Sequence, residues 1–361
     1  MKKYRVGIIG LGRMGSTIDD EGHSPLPYSI ALSARSSDRL ELAAGCDVRP
    51  ERRTAFTERW GIGAVYEDYR DMIRQEKPDL VAICTPASGL QKPAKAAPDA
   101  HFRGDSHAEL TVALSEMGVP MLYVEKAMAS SMAMADAARD AVKKHGTVFN
   151  TGVLRRFDNR YDFVRDAVLN GGIGDVKAAV HYARSSLMHG HIHSIDTLSW
   201  LLGDPRIVAV CGEFEQRDYR IEHNHIAFDP VATYRLRFEN GVEAWSVPAG
   251  HWEFEILGTT GAARSLNNGD GMVSLRKKGA DSEHPSRWTD VAIVPVTPKS
   301  TVVNCLEDLV QAYESGGKTL GHIDVTHHIT EACIAVAESH RRNGAWVELP
   351  LADRDLYVWH V

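Results

Sequence analysis

Arg5-Val6-Gly7-Ile8-Ile9-Gly10-Leu11-Gly12-Arg13-Met14-Gly15 decides the fold. A short apolar run of strand character breaks into glycines spaced Gly-x-Gly-x-x-Gly and passes directly into helix-compatible residues. In that context each glycine has its own duty. The first permits a tight turn, the second lets backbone approach a pyrophosphate, and the third lets helix and strand pack closely. The helix N-terminus then presents unpaired amides to the phosphate. A glycine-rich turn with no ligand is the plainer alternative, and the alternation of elements downstream speaks against it.

Working outward, Arg5–Ile9, Leu40–Asp47, Asp79–Thr85 and Val119–Val124 read as strands buried on both faces, alternating with helical stretches at Arg49–Trp60, Tyr69–Gln75 and Ala108–Met117. Ser130 or Ser131 caps a further helix that runs to His145 and stops at Gly146. Thr147–Gly152 is a strand leaving this domain. From about Asn150 the texture changes to longer strands at Asp175–Ala183, Arg206–Glu213, Ala232–Phe238, Val242–Val247 and Glu253–Leu257, with an Asn240-Gly241 hairpin turn. Helical patterns at Asn304–Ser315 and His327–Arg342 close the chain. The expected architecture is α/β, a doubly wound parallel sheet over residues 1–149 followed by an α+β domain with a large, mostly antiparallel sheet over 150–361. The terminal helices are free to pack back on the first domain.

A length of 361 residues with 43% hydrophobic and 25% charged residues fits two folded domains. A net charge of −7 excludes a basic nucleic-acid footprint. Arg5 and Arg13 bracket an apolar run too short for a signal peptide, and no stretch reaches membrane-spanning length. The five cysteines are odd in number and widely separated, as in a reduced, cytoplasmic protein. A small molecule is the expected partner.

An acidic residue at the end of the second strand is needed for the adenine ribose, and Asp47 fits. It lies 37 residues beyond Gly10, against roughly 20 in the usual fingerprint, so Asp19-Asp20-Glu21-Gly22-His23-Ser24-Pro25-Leu26-Pro27 is read as an insertion. Asp47 favours NAD. Arg49 weakens that preference, because a guanidinium there can accept the 2′-phosphate of NADP.

The sequence resembles the glucose-fructose oxidoreductase, inositol dehydrogenase and MocA family over nearly its whole length. The resemblance rests on ordered motifs: the glycine loop, Cys84-Thr85-Pro86, His107-Ala108-Glu109, Glu125-Lys126, Arg155-Arg156-Phe157, and His193–Asp196 leading into Trp200-Leu201-Leu202-Gly203-Asp204-Pro205. It implies a Rossmann domain, an NAD(P)-dependent oxidoreductase acting on a sugar, cyclitol or related polyol, and a homo-oligomer, dimer or tetramer. The candidate cofactor residues are Gly10, Gly12, Arg13, Met14, Gly15, Asp47, Arg49, Thr85, Pro86, Glu125 and Lys126.

The resemblance places Lys126 beside nicotinamide and substrate, where an ammonium can stabilise charge on the reacting oxygen. Ala127 stands where the family has proline. The family's aspartate, histidine and aspartate correspond to His189, His193 and Asp196, which share a face on a helix at i, i+4 and i+7. His193 is then the acid or base, Asp196 binds a hydroxyl or orients the imidazole, and His189 is a departure from the pattern. Arg155 and Arg156 are candidate substrate contacts, an interface ion pair being the alternative. Ser88–Gly104 is a second insertion, at the carboxyl end of a central strand, where ligands bind in open α/β sheets. Two other functions stay open: a dinucleotide-binding regulator without catalysis, and a metal-dependent hydrolase using His189, His191 and His193 on an extended segment. Retention of Lys126 and His193 speaks against the first, and the apolar run after His193 favours a helix over the second.

Overall fold

Six short strands of the N-terminal half pair in parallel in the order β3-β2-β1-β4-β5-β6. They are β1 (Tyr4–Ile9), β2 (Leu40–Cys46), β3 (Val65–Tyr66), β4 (Leu80–Ile83), β5 (Met121–Val124) and β6 (Val148–Thr151). Every residue of β4 and β5 is buried, as continuous apolar runs between two helical layers must be. The structure is a computed structural model and describes residues 2–22, 24–87, 104–269, 273–279, 283–291 and 296–360. Strand order reverses between β1 and β4, the switch point at whose carboxyl edge ligands bind in this architecture.

The helices are α1 (Ile30–Ser36), α2 (Pro50–Trp60), α3 (Tyr69–Glu76), α4 (Ser106–Glu116), α5 (Met132–His145), α6 (Asp162–Leu169), α7 (Ile192–Leu201), α8 (Thr301–Ser315) and α9 (Ile323–Arg341). Side chains cap their first turns as the sequence requires. Asp68, Asp105, Ser131 and Ser300 each accept amides from the turn that follows. The acidic insertion breaks the helix after the glycine loop into one π-type turn, Arg13–Thr17, and one 3-10 turn, Ile18–Glu21, so that α1 starts only at Ile30. α1 is seven residues long, and α8 packs beside it on β5 and β6. Val302, Leu306 and Leu309 of α8 join Ile30, Ala34 and Tyr123 in one buried cluster. The first compact unit accordingly comprises Met1–Phe157, Lys299–His327 and His360–Val361, and so extends past residue 149. Of the second insertion, residues 88–103 lie outside the described residues, as does His23 of the first.

The second unit, Asp158–Pro298 with His328–Trp359, is built on a ten-stranded sheet. Its strands are β7 (Val176–Tyr182), β8 (Ser185–Ser186), β9 (Ile207–Phe214), β11 (Val231–Phe238), β12 (Glu243–Val247), β13 (Glu253–Gly258), β14 (Gly261–Ser265), β15 (Val273–Lys278), β16 (Trp288–Val291) and β17 (Val347–Glu348). Their order is β16-β15-β14-β13-β7-β12-β11-β9-β17, with β8 on β11. All neighbours are antiparallel except β7 and β12. β10 (His225–Ile226) and β18 (Tyr357–Val358) form a separate parallel pair, so the sequence His223-Asn224-His225 runs into a strand. At the β11–β12 hairpin only Gly241 takes positive φ, at 82°. Asn240 contributes differently from the expected turn, through its side-chain oxygen, which accepts the Val242 amide at 3.1 Å.

Candidate functional site

The glycine loop joins β1 to the turn at Arg13, and its three glycines are not equivalent. Gly10 has φ +92°, and a Cβ there would lie 2.6 Å from the Cys84 carbonyl group. A Cβ on Gly15 would lie 2.1 Å from the Gly10 carbonyl oxygen. Both positions are closed by the protein's own backbone. A Cβ on Gly12, by contrast, meets nothing within 4 Å. Open space at the second glycine, beside the amides that begin Arg13–Thr17, is the cradle a pyrophosphate needs, so the residues present fit a dinucleotide.

Asp47 follows β2 and is buried. Its Oδ2 accepts the Leu11 amide at 3.0 Å, and Oδ1 accepts the Arg49 amide at 3.0 Å with Arg49 Nε at 3.4 Å. The carboxylate therefore rests against the glycine loop with lone pairs left for ribose hydroxyls. The Arg49 guanidinium, offered by the sequence as a 2′-phosphate ligand, is turned onto that same carboxylate.

At the carboxyl ends of β4 and β5 stand Thr85 and Lys126, one and two strands across from β1. His107, in the first turn of α4, ties their loops together. Its Nε2 lies 2.7 Å from the Thr85 carbonyl oxygen and its Nδ1 2.9 Å from that of Ala127. Asp105, the α4 cap, accepts the amides of His107, Ala108 and Ser130. Lys126 is half-buried and Glu125 buried. Asp105 had a local signal, a capping aspartate ahead of a helical run. The bridging of two loops by the His107 ring had none.

In the second unit the segment carrying His189 and His193 departs from the expected single helix. Leu187–His191 is a π-type turn, and α7 begins at Ile192. Asp229, forty residues on, accepts the amides of Met188 at 2.8 Å and His189 at 2.7 Å and so caps the turn. Burial raises the Asp229 carboxyl above its ordinary range, against the lowering pull of those amides. His189 is exposed, His193 half-buried and Asp196 buried, so the segment runs from solvent inward.

His191 is committed elsewhere. Its Nε2 donates to the Ala232 carbonyl at 2.9 Å, and Nδ1 lies 3.0 Å from Ser194 Oγ, which the Tyr234 hydroxyl meets at 2.8 Å. Among the described residues no group of three or more His, Cys, Asp or Glu side chains is placed to hold a metal ion. The segment is therefore not extended as the metal reading required, and His191 is bonded to the Ala232 carbonyl. Burial pushes the His191 imidazole down to about 4. Unfolded, it titrates near 6.5, so between those values only the unfolded chain binds the proton, and stability falls as pH falls through that window. The expected loss is about 3 kcal/mol by pH 4. Thermal melts from pH 7 to 4 check it: this part of the acid sensitivity should be absent in His191→Gln, and an unchanged slope would remove the assignment.

Arg155 and Arg156 lie in the 3-10 turn Leu154–Phe157. Arg156 is 2% exposed, and its Nη1 donates to the Leu320 carbonyl at 3.5 Å. Only Arg155, half-buried, offers appreciable surface to a ligand.

Comparison with known proteins fits this geometry. The model of an oxidoreductase family with an NAD-binding Rossmann fold matches residues 4–153, and that of the family's C-terminal alpha/beta domain matches residues 181–349. Myo-inositol 2-dehydrogenase of Thermotoga maritima is 28% identical over 170 residues, spanning 47% of this chain and 42% of that protein. D-glucoside 3-dehydrogenase of Escherichia coli is 24% identical over 276 residues, spanning 67% and 68%. Among solved structures, aldose-aldose oxidoreductase from Caulobacter crescentus aligns with a TM-score of 0.74 at 20% identity, over 96% of this chain and 100% of that one. Levoglucosan dehydrogenase, solved with NADH and levoglucosan, aligns at 0.73 and 18% identity over 97% and 100%. At those identities the structures show the fold. The two family models together cover most of the chain, which belongs to the glucose-fructose oxidoreductase, inositol dehydrogenase and MocA family of NAD(P)-dependent oxidoreductases.

Proposed function

We propose that this protein oxidises a carbinol carbon of a sugar, cyclitol or related polyol, or reduces the corresponding carbonyl, and uses NAD in preference to NADP. The observation that carries the reading is Lys126 on the sheet's carboxyl edge, fixed through the His107 bridge two strands from an open glycine cradle. The relatives named as inositol and glucoside dehydrogenases support the substrate class. NAD supplies the hydride acceptor. The Lys126 ammonium donates to the reacting oxygen and stabilises charge as it develops. His193 takes the hydroxyl proton. Asp196 binds a neighbouring hydroxyl or orients that imidazole, while His189 and Arg155 contact the outer part of the substrate. Screening inositols, glucosides and anhydro sugars for production of reduced nicotinamide tests the substrate class. A protein that binds nucleotide yet turns over no member of that panel would count against it.

Asp47 sets the cofactor preference. NAD should bind at least about tenfold tighter than NADP, roughly 1.4 kcal/mol, and Asp47→Ser should narrow or reverse the gap, since Arg49 is then released from its partner. Nucleotide titrations of both proteins check this, and a wild-type preference for NADP would show that Arg49 governs.

A cytoplasmic location goes with five cysteines that are all free thiols. A dimer or tetramer, as the family resemblance implies, would use the sheet face on which Arg235 and Arg237 stack over the half-buried Trp245 and Trp346.

A further inference from the structure

The acidic insertion after the glycine loop is held in place by its own carboxylates. Asp19 accepts the amides of Tyr28 at 2.8 Å and Ser29 at 3.1 Å, which closes the insertion on itself. Asp20 pairs with both terminal nitrogens of Arg59 at 2.6 and 2.8 Å. Glu21 grips Arg13 in the same bidentate way, Nε to Oε1 at 2.5 Å and Nη2 to Oε2 at 2.6 Å. Arg13 belongs to the glycine loop, two residues past the Leu11 amide that Asp47 holds. The Arg13 side chain is 57% exposed and that of Glu21 36%, so the pair stands in solvent at the rim of the loop.

We propose that Glu21 is a specificity-determining residue that turns the glycine loop against NADP, by occupying the Arg13 guanidinium and withholding it from the additional phosphate. The inference rests on the nucleotide reading above and adds to it a second carboxylate, supplied by the insertion. Its sign does not depend on the distance involved. Removing one negative charge from the neighbourhood favours the more anionic of two ligands, and a phosphate monoester adds about two negative charges at neutral pH. The pyrophosphate is common to both nucleotides and cancels from the comparison. A guanidinium released from Glu21 is itself a forked phosphate ligand. Asp47 and Glu21 thus press the same way, one from the end of β2 and one from the insertion.

The test is fluorescence titration of NADH and NADPH against the wild type, Glu21→Gln, Arg13→Gln and the double variant, with melting temperatures measured alongside. Glu21→Gln should tighten NADPH about tenfold and NADH less than about twofold. The gain should vanish when Arg13→Gln is added, and shrink in about 1 M salt, where screening acts within about 3 Å. Arg13→Gln alone leaves Glu21 unneutralised and should weaken NADPH more than NADH, a check that stands even if Glu21→Gln folds poorly. Equal changes for both nucleotides would make Arg13 a pyrophosphate ligand and overturn the proposal. So would no change in a wild type that binds NADH well. A wild type that binds neither nucleotide would instead bring down the dinucleotide reading beneath it.

Discussion

Gly12→Val should abolish nucleotide binding while the protein keeps its melting temperature, and Gly15→Ala should lower the melting temperature. The two glycines lie three residues apart in one motif, yet their surroundings are opposite. A Cβ on Gly12 enters space where no protein atom lies within 4 Å, so valine costs little within the protein and occupies the place of the pyrophosphate. On Gly15 a Cβ would stand 2.1 Å from the Gly10 carbonyl oxygen and 3.2 Å from Ile8 Cγ2. Neither neighbour can yield cheaply. The oxygen is backbone at the end of β1, and Ile8 is fully buried in the sheet. Overpacking of this kind costs about 1–3 kcal/mol or more, against a total stability of about 5–15. Titration of NADH fluorescence and a thermal melt of each variant check both halves. For Gly12→Val the expected loss of affinity exceeds about a hundredfold, or roughly 3 kcal/mol. Native affinity in that variant would remove the pyrophosphate from its assigned place.

The same contrast marks what could be read from sequence. The motif identifies three glycines, but only the packed structure separates the two that serve the fold from the one that faces open space. Strand character was legible wherever burial on both faces imposes a continuous apolar run, as in Leu80–Ile83 and Met121–Val124. It was not legible in β14 to β16, where Gly261–Ser265 and Trp288–Val291 are short and carry charged or small residues. The helix α1 was hidden because the insertion separates it from the glycine loop, although Ser29 caps it by accepting the Leu32 amide at 3.1 Å. Periodicity placed His189, His193 and Asp196 on a helical segment but could not foresee the π-type turn. What caps that turn is Asp229, brought from forty residues away by the pairing of β11 with β8. Long-range partners leave no local pattern, and the bond from His191 to the Ala232 carbonyl belongs to the same class.

Lys126→Ala and His193→Ala should each lower kcat by about a hundredfold or more, with NADH affinity nearly intact. On the proposed mechanism the lysine would stabilise charge on the oxygen as the proton leaves and the imidazole would receive that proton, which would couple the two in one transition state. Groups that act as a unit do not contribute independently. Once either is gone, the reaction proceeds through a poorer transition state that the other can no longer assist in full, and the double variant should be little worse than the weaker single variant. Full additivity would mean that the two residues serve separate steps. His193 is half-buried, so alanine there removes no large part of the core, and the Lys126 peptide keeps its neighbour's bond to His107 through the Ala127 carbonyl. Loss of activity in either variant is then a loss of chemistry rather than of fold, which melting temperatures verify. The measurement is steady-state turnover of the four proteins with the best polyol from the screen, alongside NADH titration. Full turnover by His193→Ala would leave the proton to Asp196 or Lys126. In that case Asp196→Asn should reproduce the hundredfold loss, because an amide accepts no proton at working pH.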